Sequence, residues 1–128
     1  MKVETITPEE IKALGFVPEP HTVTLKDHGC WYALKDDNEV LSLLCIREQR
    51  NELYIGEVFT SQKHRKKGYM TMLCSKVVNE LYPGYSVCTH ALEASKHCFE
   101  ICGFEQFTFR HFKYGDQWWL RRKGRKID

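Results

Sequence analysis

The sequence predicts an α/β (α+β) fold in which a mixed, twisted sheet of about six or seven strands is flanked by about three helices. Two observations lead to this prediction. Short segments rich in aromatic and β-branched residues recur along the chain, and helix-start signals or apolar residues at helical spacing lie between them. The 128 residues are enough for one core but rarely for two, and no linker or repeat divides them. We therefore expect a single domain over residues 1–128.

The N-terminal segment predicts a strand, a short helix and a run across the surface. Residues 2–6 alternate in polarity and indicate the first strand. A capping box begins at Thr7, a proline follows at the first helical position, and Gly15 marks the end of the helix. Residues 16–27 contain two prolines, so we expect a surface run there, with a short extended piece at 23–25.

The remainder of the chain supplies two hairpins and two further helices. Residues 30–35 and 40–47 flank a polar turn and predict a hairpin. The elements that follow are a strand at 53–60, a helix at 69–81, a strand at 85–90, a helix at 91–102, and a closing hairpin of 105–114 with 117–122. Aromatic residues alternate in the closing hairpin, which predicts that most of them pack in the sheet.

A basic loop joins the strand at 53–60 to the helix that follows. It carries lysine or arginine at positions 63, 65, 66 and 67 and a glycine at 68. The N–H groups at a helix start attract anions, and Gly68 lets a ligand approach the backbone closely. Neither the three-glycine dinucleotide fingerprint nor the phosphate-loop pattern of nucleotide hydrolases is present. The loop therefore predicts a pyrophosphate site of another kind, with a solvated basic turn as the alternative.

The loop resembles the cofactor signature of the GNAT superfamily of acyl-CoA-dependent N-acyltransferases. That signature reads Gln/Arg-x-x-Gly-x-Gly/Ala, and this chain has Arg65 and Gly68 at its first two anchors. Met70 occupies the third anchor, where it leaves less room at the start of the helix. The resemblance extends over about half of the chain, from residue 53 to about residue 109.

A second motif, in residues 94–104, is similar to the later GNAT motif Asn-x-x-Ala-x-x-x-Tyr-x-x-x-Gly-Phe. Alignment on its final Gly-Phe pair puts Ser95 at the small-residue position, Phe99 at the tyrosine position and Leu92 at the asparagine position. In the superfamily that tyrosine commonly protonates the departing thiolate of coenzyme A, which phenylalanine cannot do. Water or another side chain must then supply the proton.

The resemblance implies a GNAT-like fold and an N-acetyltransferase that moves the acetyl group of acetyl-CoA to a primary amine of a small molecule or a protein. Residues 16–27 would lie where the superfamily places a substrate-facing segment. The cofactor-binding residues that it implies are Phe59, Thr60, Arg65, Lys66, Lys67, Gly68, Tyr69, Met70, Ser95 and Phe99.

Glu57 and His90 are the candidate catalytic bases. A lysine-like amine is charged at neutral pH, so a carboxylate or an imidazole within reach would assist its attack on the thioester. The apolar neighbours of Glu57 predict a partly desolvated carboxylate, and imidazoles titrate near neutral pH. The alternatives are a solvated glutamate on an edge-like strand and a histidine that only caps a helix. Backbone N–H groups near Phe59 and Thr60 are candidates for polarising the thioester carbonyl.

The six cysteines predict reduced, buried thiols because they lie within apolar strand and helix patterns. Cys98 and Cys102 share a helix face beside His97. No other pair of ligands at metal-binding spacing accompanies them, so we expect no metal site.

The net charge of the chain does not identify the acceptor substrate. The net charge is +2, and five basic residues between Arg121 and Lys126 predict a basic tail over about 121–128. Such a tail admits a modifier of macromolecules or a nucleic-acid-binding module, although nucleic acid is not favoured. Phe99 and Met70 raise a third alternative, a GNAT-like domain that binds acyl-CoA without turnover.

Hydropathy gives no sign of a membrane segment. No run approaches the length of an apolar membrane span, and the start of the chain lacks the apolar run of a signal peptide. We therefore expect a cytoplasmic protein with an amine acceptor and no membrane partner, present as a monomer or a homodimer.

Overall fold

The computed structural model describes residues 1–16, 29–110 and 117–124. Within these ranges the chain forms seven strands and three α-helices. In chain order they are β1 (Lys2–Thr5), α1 (Pro8–Leu14), β2 (Cys30–Asp36), β3 (Glu39–Gln49), β4 (Glu52–Thr60), α2 (Tyr69–Ser75), β5 (Val87–Ala91), α3 (Glu93–Ile101), β6 (Glu105–Arg110) and β7 (Gln117–Arg122). A 3-10 turn, Gln62–His64, precedes α2, and a π-helical segment, Lys76–Leu81, continues it.

The strands form one mixed sheet in the order β1-β2-β3-β4-β5-β7-β6. In the described sheet every neighbouring pair is antiparallel except β4 and β5, which are parallel. A parallel pair needs a crossover connection, and α2 with its π-helical segment supplies it. The predicted mixed sheet with about three helices is confirmed. β4 lies between β3 and β5 in the sheet order, but Glu57 lies beyond the last β4–β5 pair and is paired in the described sheet only with Cys45 of β3, so the expectation of an edge-like strand holds locally.

The first helix begins and ends as the sequence predicts. The Thr7 hydroxyl accepts a hydrogen bond from the backbone N–H of Glu10 at 3.2 Å, and the Glu10 carboxylate accepts one from the Thr7 N–H at 3.2 Å. Gly15 follows the helix with a left-handed φ of 73°, a conformation that glycine adopts at little cost. Ile11 is fully buried and anchors α1 to the sheet.

Apolar side chains pack on both faces of the sheet, since neighbouring residues of a strand point to opposite faces. On one face, Leu44 and Ile46 of β3 belong to the core that α2 and α3 cover. On the other face, Leu43 and Cys45 of the same strand pack with Ile11 of α1. We call these the α2–α3 face and the α1 face. The sheet is therefore the middle of three layers.

The boundary between β5 and α3 differs from the prediction. Ala91 belongs to the strand, and α3 begins at Glu93 rather than at residue 91. Ala91 pairs with Trp118 of β7, and this ladder outweighs the helical propensity of alanine. His90 accordingly lies within a strand, so the alternative of a helix-capping histidine is wrong.

The closing hairpin is confirmed as far as the structure describes it. Glu105 pairs with Arg121 and Thr108 with Trp119, with a register shift between them. The turn predicted around Gly115 and Asp116 lies outside the described residues, as do residues 111–114 of the strand predicted before it. So does the surface run predicted for residues 16–27, apart from its first residue.

Arg122 ties the end of β7 to the end of the helical crossover. Its side chain is buried, with 4% of the residue exposed. The guanidinium donates to the backbone carbonyls of Val78, Tyr82, Pro83 and Tyr85 at 2.8–3.1 Å. Carbonyls at a helix end lack intrahelical partners, and a cation there also opposes the helix dipole. Arg122 therefore caps the helix that α2 and its π-helical segment form.

The basic tail predicted over about 121–128 does not begin at residue 121. Arg121 and Arg122 both belong to β7. Arg121 makes a two-point ion pair with Glu52 of β4, with both N···O distances at 3.1 Å. Hydrogen bonding to Arg121 lowers the pKa of Glu52 below its usual value. Both arginines thus serve the fold, and residues 125–128 lie outside the described residues.

We expect Arg122→Met to lower the free energy of unfolding by about 2–4 kcal/mol, because it leaves buried carbonyls without their charged donor. Urea denaturation followed by circular dichroism measures this. Lys123→Met is the matched control, since Lys123 is exposed and should change stability by less than about 0.5 kcal/mol. Equal stabilities of the two variants would contradict the capping role.

Candidate active site

β4 and β5 separate at the centre of the sheet. In the described sheet three residue pairs join them, and the last pair is Ile55 with Thr89. The Thr89 hydroxyl donates to the Ile55 carbonyl at 2.9 Å, just where the pairing stops. Beyond it β4 continues beside β3, while β5 continues beside β7. A gap therefore opens between residues 56–60 and the end of β5.

A bulge in β4 lies at the same point. Cys45 of β3 pairs with Glu57, whereas the next residue, Ile46, pairs with Ile55, so Gly56 is an extra residue in β4. Residues paired across an antiparallel ladder point to the same face. Cys45 packs on the α1 face, so the bulge brings Glu57 to that face as well. An unbulged strand would have turned Glu57 toward α2 and α3.

A cleft of about 680 Å³ occupies the gap. Its walls are residues 56–60 of β4, residues 64–66 and 68–71 around the start of α2, and His90 with the first turns of α3. β4 runs from the bulge to the basic loop, a distance of about 15 Å at the rise of an extended strand. The cleft therefore joins the titratable pair, Glu57 and His90, to the basic loop.

Most of the predicted cofactor-binding residues of the loop line the cleft. They are Phe59, Thr60, Arg65, Lys66, Gly68, Tyr69 and Met70. Gly68 precedes α2 with a left-handed φ of 79°, and Lys66 is also left-handed, with a φ of 64°. Met70 packs against the α2–α3 core and also lines the cleft at the start of α2. Lys67 is exposed and is not among the described residues that line the cleft.

A carboxylate that the sequence did not single out holds the basic loop. Glu39, at the start of β3, contacts Lys63 Nζ at 2.7 Å and His64 Nε2 at 2.8 Å. These two hydrogen bonds lower the pKa of Glu39. The His64 ring also meets the Tyr69 ring edge to face, and Arg65 Nε donates to the Thr60 carbonyl at 3.2 Å. The loop is thus fixed to both the hairpin and α2.

Both candidate bases border the cleft. Glu57 is half-buried on β4, and His90 is half-buried on β5 across the gap. Nδ1 of His90 lies 2.7 Å from the Tyr54 hydroxyl, and the imidazole also contacts the Trp119 ring. Sequence reasoning did not find Tyr54, because its strand partner is not His90 but Cys88, and no periodicity relates residues 54 and 90.

The second motif divides between the cleft and the core. Ser95 lines the cleft, and its hydroxyl donates to the Leu92 carbonyl at 3.3 Å. Phe99 is 1% exposed and packs against Phe104 at the base of α3. It is not among the described residues that line the cleft. At this position a side chain contributes to the core, so the proton for a leaving thiolate has to come from elsewhere.

The cysteines are free thiols, and four of the six are buried. Cys98 lines the cleft and accepts a hydrogen bond from the Thr71 hydroxyl at 3.1 Å. Hydrogen bonding to Cys102, together with burial, holds the pKa of Cys98 well above its usual value. The Cys98 thiol therefore stays protonated and is a poor nucleophile. Among the described residues no three His, Cys, Asp or Glu side chains are placed to hold a metal ion.

This geometry defines a class of protein. An opened sheet carries a basic loop before a helix at one end of a cleft and a carboxylate with an imidazole at the other. Such a cleft suits an elongated, phosphate-bearing acyl donor whose reactive end meets a base. In the described part of the chain, no helix is both long enough and apolar enough to span a bilayer.

The comparison with protein families gives the same class. The model of the acetyltransferase (GNAT) family matches residues 4–104. The chain belongs to the GNAT family of acetyltransferases, for which acetyl-CoA is the acyl donor. No curated protein matches the sequence.

Solved structures of this fold resemble almost the whole chain. The ribosomal-protein-S18-alanine N-acetyltransferase from Escherichia coli has a TM-score of 0.81 at 12% identity, covering 99% of this chain and 96% of that chain. The IAA acetyltransferase from Bacillus cereus ATCC 14579 has a TM-score of 0.76 at 17% identity, covering 94% and 97%. A GNAT family acetyltransferase from Elizabethkingia anophelis, solved with acetyl-CoA bound, has a TM-score of 0.70 at 15% identity, covering 95% and 97%.

We expect Gly68→Asp to weaken acetyl-CoA binding by more than about a hundredfold, because a carboxylate beside a bound pyrophosphate costs several kcal/mol. Isothermal titration calorimetry measures this. Gly15→Asp is the matched control: Gly15 has a similar φ of 73°, and at both glycines a Cβ would meet no atom within 4 Å. The control shares the backbone strain but lies in the cap of α1. Unchanged affinity in Gly68→Asp would contradict a cofactor site at this loop.

Proposed function

We propose that the protein transfers the acetyl group of acetyl-CoA to a primary amine of a small molecule or of a protein. The observation that carries this proposal is the single cleft that runs from Glu57 and His90 to the loop around Gly68. A general base and an anion site at the two ends of one cleft are what an amine acylation by a CoA thioester requires.

The donor would bind along β4. Its pyrophosphate meets the loop amides of residues 65–70 together with the side chains of Arg65, Lys66 and Lys67. The pantetheine arm occupies the gap beside residues 56–60, with Ser95 on the opposite wall. Backbone N–H groups near Phe59 and Thr60 then polarise the thioester carbonyl. The tether through Glu39 keeps the loop in place before the donor arrives, which lowers the ordering cost of binding.

The chemistry divides into proton removal, addition and expulsion. The acceptor arrives as an ammonium ion and loses a proton to Glu57 or His90, directly or through one water. The amine nitrogen adds to the thioester carbon, and the oxygen takes up negative charge. Collapse breaks the C–S bond and the electron pair leaves with the sulfur. The nitrogen, positively charged since it added, loses its remaining proton, and a water molecule carries a proton to the thiolate in place of Phe99.

The acceptor would approach from the α1 face, to which the bulge turns Glu57. Phe107, which is exposed, and the Trp119 ring next to it form an aromatic wall beside His90 on β6 and β7. A primary amine on a metabolite, on a lysine or on a protein N-terminus fits this open approach. The cytoplasmic location and a monomeric or homodimeric state belong to the same proposal.

The two non-enzymatic alternatives now have less support. Arg121 and Arg122 are engaged within the fold, which leaves three of the five basic residues of the supposed tail for a nucleic acid. A domain that binds acyl-CoA without turnover was suggested by Phe99, but Phe99 lies in the core, and two titratable groups remain at the cleft. Calorimetry with acetyl-CoA, followed by release of free thiol with a panel of amines, separates these functions.

We expect Glu57→Gln to lower the turnover number by about a hundredfold to ten-thousandfold while the affinity for acetyl-CoA changes little, because the amide cannot take the proton of the acceptor. Release of free CoA thiol at saturating acetyl-CoA measures the rate. Glu100→Gln, on the exposed side of α3, is the control and should leave the rate unchanged. Full activity of Glu57→Gln with every accepted amine would remove Glu57 from the mechanism.

A further inference from the structure

Tyr54 holds the imidazole of His90 in a defined orientation. The hydroxyl of Tyr54 lies 2.7 Å from Nδ1 of His90, and the two rings meet edge to face with centroids 5.5 Å apart. Trp119 of β7 contacts the same imidazole, and the Arg47 guanidinium lies 5.0 Å from the centre of the Tyr54 ring. The orientation of His90 is thus set by side chains of two neighbouring strands.

The partner of Nδ1 decides where the imidazole carries its proton. A neutral imidazole has one N–H donor and one acceptor nitrogen. The phenol is a stronger acid than the imidazole N–H, and burial raises the pKa of Tyr54 further above neutral pH. The Tyr54 hydroxyl keeps its proton and, as the stronger acid of the pair, is the better donor across the 2.7 Å contact with Nδ1. A donating hydroxyl at Nδ1 favours the tautomer of His90 that carries its proton on Nε2.

We propose that Tyr54 is a positioning residue that holds His90 in the Nε2–H tautomer, so that His90 acts as a hydrogen-bond donor and Glu57 is the general base. This inference rests on the proposed acetyl transfer and divides the work of its two titratable residues. A neutral imidazole in this tautomer cannot take a proton at Nε2. Its N–H instead suits the thioester oxygen, which becomes negative as the amine adds.

The proton and electron balance follows from this division. Glu57 takes the proton of the acceptor ammonium, and the amine nitrogen forms the new C–N bond. The thioester oxygen accepts a hydrogen bond from Nε2–H of His90 while it carries the charge. When the C–S bond breaks, its electron pair leaves with the CoA sulfur. The nitrogen, positively charged since it added, loses its second proton, which reaches the thiolate through water, and Glu57 returns the first proton to solvent. His90 neither gains nor loses a proton in the cycle.

The tautomer is measured directly by long-range ¹H–¹⁵N correlation spectra of labelled protein, in which the two ring nitrogens have distinct shifts. The sequence has six histidines, and the signals of His90 are those lost in His90→Gln. We expect the Nε2–H pattern in the wild type. Tyr54→Phe keeps the aromatic ring and should move the signals toward those of an unconstrained imidazole. A wild-type Nδ1–H pattern would overturn the proposal, whatever the activity of the protein.

Tyr32→Phe is the matched control for this spectrum. Tyr32 is a half-buried tyrosine that packs against the α2–α3 core, and its hydroxyl pairs with that of Tyr82 at 2.6 Å. We expect the loss of the Tyr32 hydroxyl in Tyr32→Phe to leave the His90 signals unchanged. Tyr54→Phe should also lower the turnover number by about two- to tenfold, because one neutral hydrogen bond is lost. The KM for acetyl-CoA should stay unchanged.

Two substitutions of His90 separate a donor from a base. The side-chain amide of glutamine has an N–H donor but cannot act as a base. If His90 is a donor, His90→Gln should keep the turnover number within about tenfold of the wild type, whereas His90→Ala should lose about a hundredfold to a thousandfold. Equal losses in both variants would overturn the donor role. Absence of turnover in the wild type with every amine would instead contradict the proposed function, and the spectra would still decide the tautomer.

Discussion

The interrupted pairing of β4 and β5 is the constraint on which the rest of the molecule depends. Parallel strands inside a sheet normally stay paired along their length, because each unpaired backbone group in an interior costs a hydrogen bond. Here the ladder ends at Ile55 and Thr89, and each strand continues with its other neighbour. The sheet can therefore open at its centre without losing its outer halves. The cleft is a product of sheet topology rather than of a loop.

The bulge at Gly56 sets the directions of the β4 side chains that border the opening. One extra residue reverses the direction of every side chain that follows it in a strand. Glu57 is brought to the α1 face, and Val58 packs against the α2–α3 core. The carboxylate thus faces the side from which an acceptor would come, while the same strand continues to the anion-binding loop. The side chain of the candidate base, Glu57, therefore takes its direction from the bulge, on the same strand that leads to the candidate cofactor loop.

Two charged residues outside the cleft hold the elements that surround it. Glu39 contacts Lys63 and His64 and so fixes the loop. Arg122 donates hydrogen bonds to four carbonyls at the end of the helical crossover. An arginine buried with several hydrogen bonds is stabilising, whereas a solvated one is free to bind an anion. Charge counts along a sequence cannot separate these two uses.

The sequence by itself determined most of the described elements and the position of the basic loop between β4 and α2. Strand and helix signals are local: the capping box at Thr7, the left-handed glycines at 15 and 68, and the apolar spacing of α2 act within a few residues. The motif around Gly68 is equally local. Sequence therefore predicted the order of the elements, the mixed sheet and the family resemblance, with errors only at boundaries such as that of β5 and α3.

The tertiary structure alone decided which residues meet. The contacts of Tyr54 with His90 and of Glu39 with His64 join positions that lie 36 and 25 residues apart in sequence, and no pattern along the chain encodes them. The burial of Phe99 in the core likewise depends on how α3 packs on the sheet, which the sequence around residue 99 does not specify. These facts depend on register and on the one-residue bulge, since a shift of a single residue turns a side chain to the opposite face.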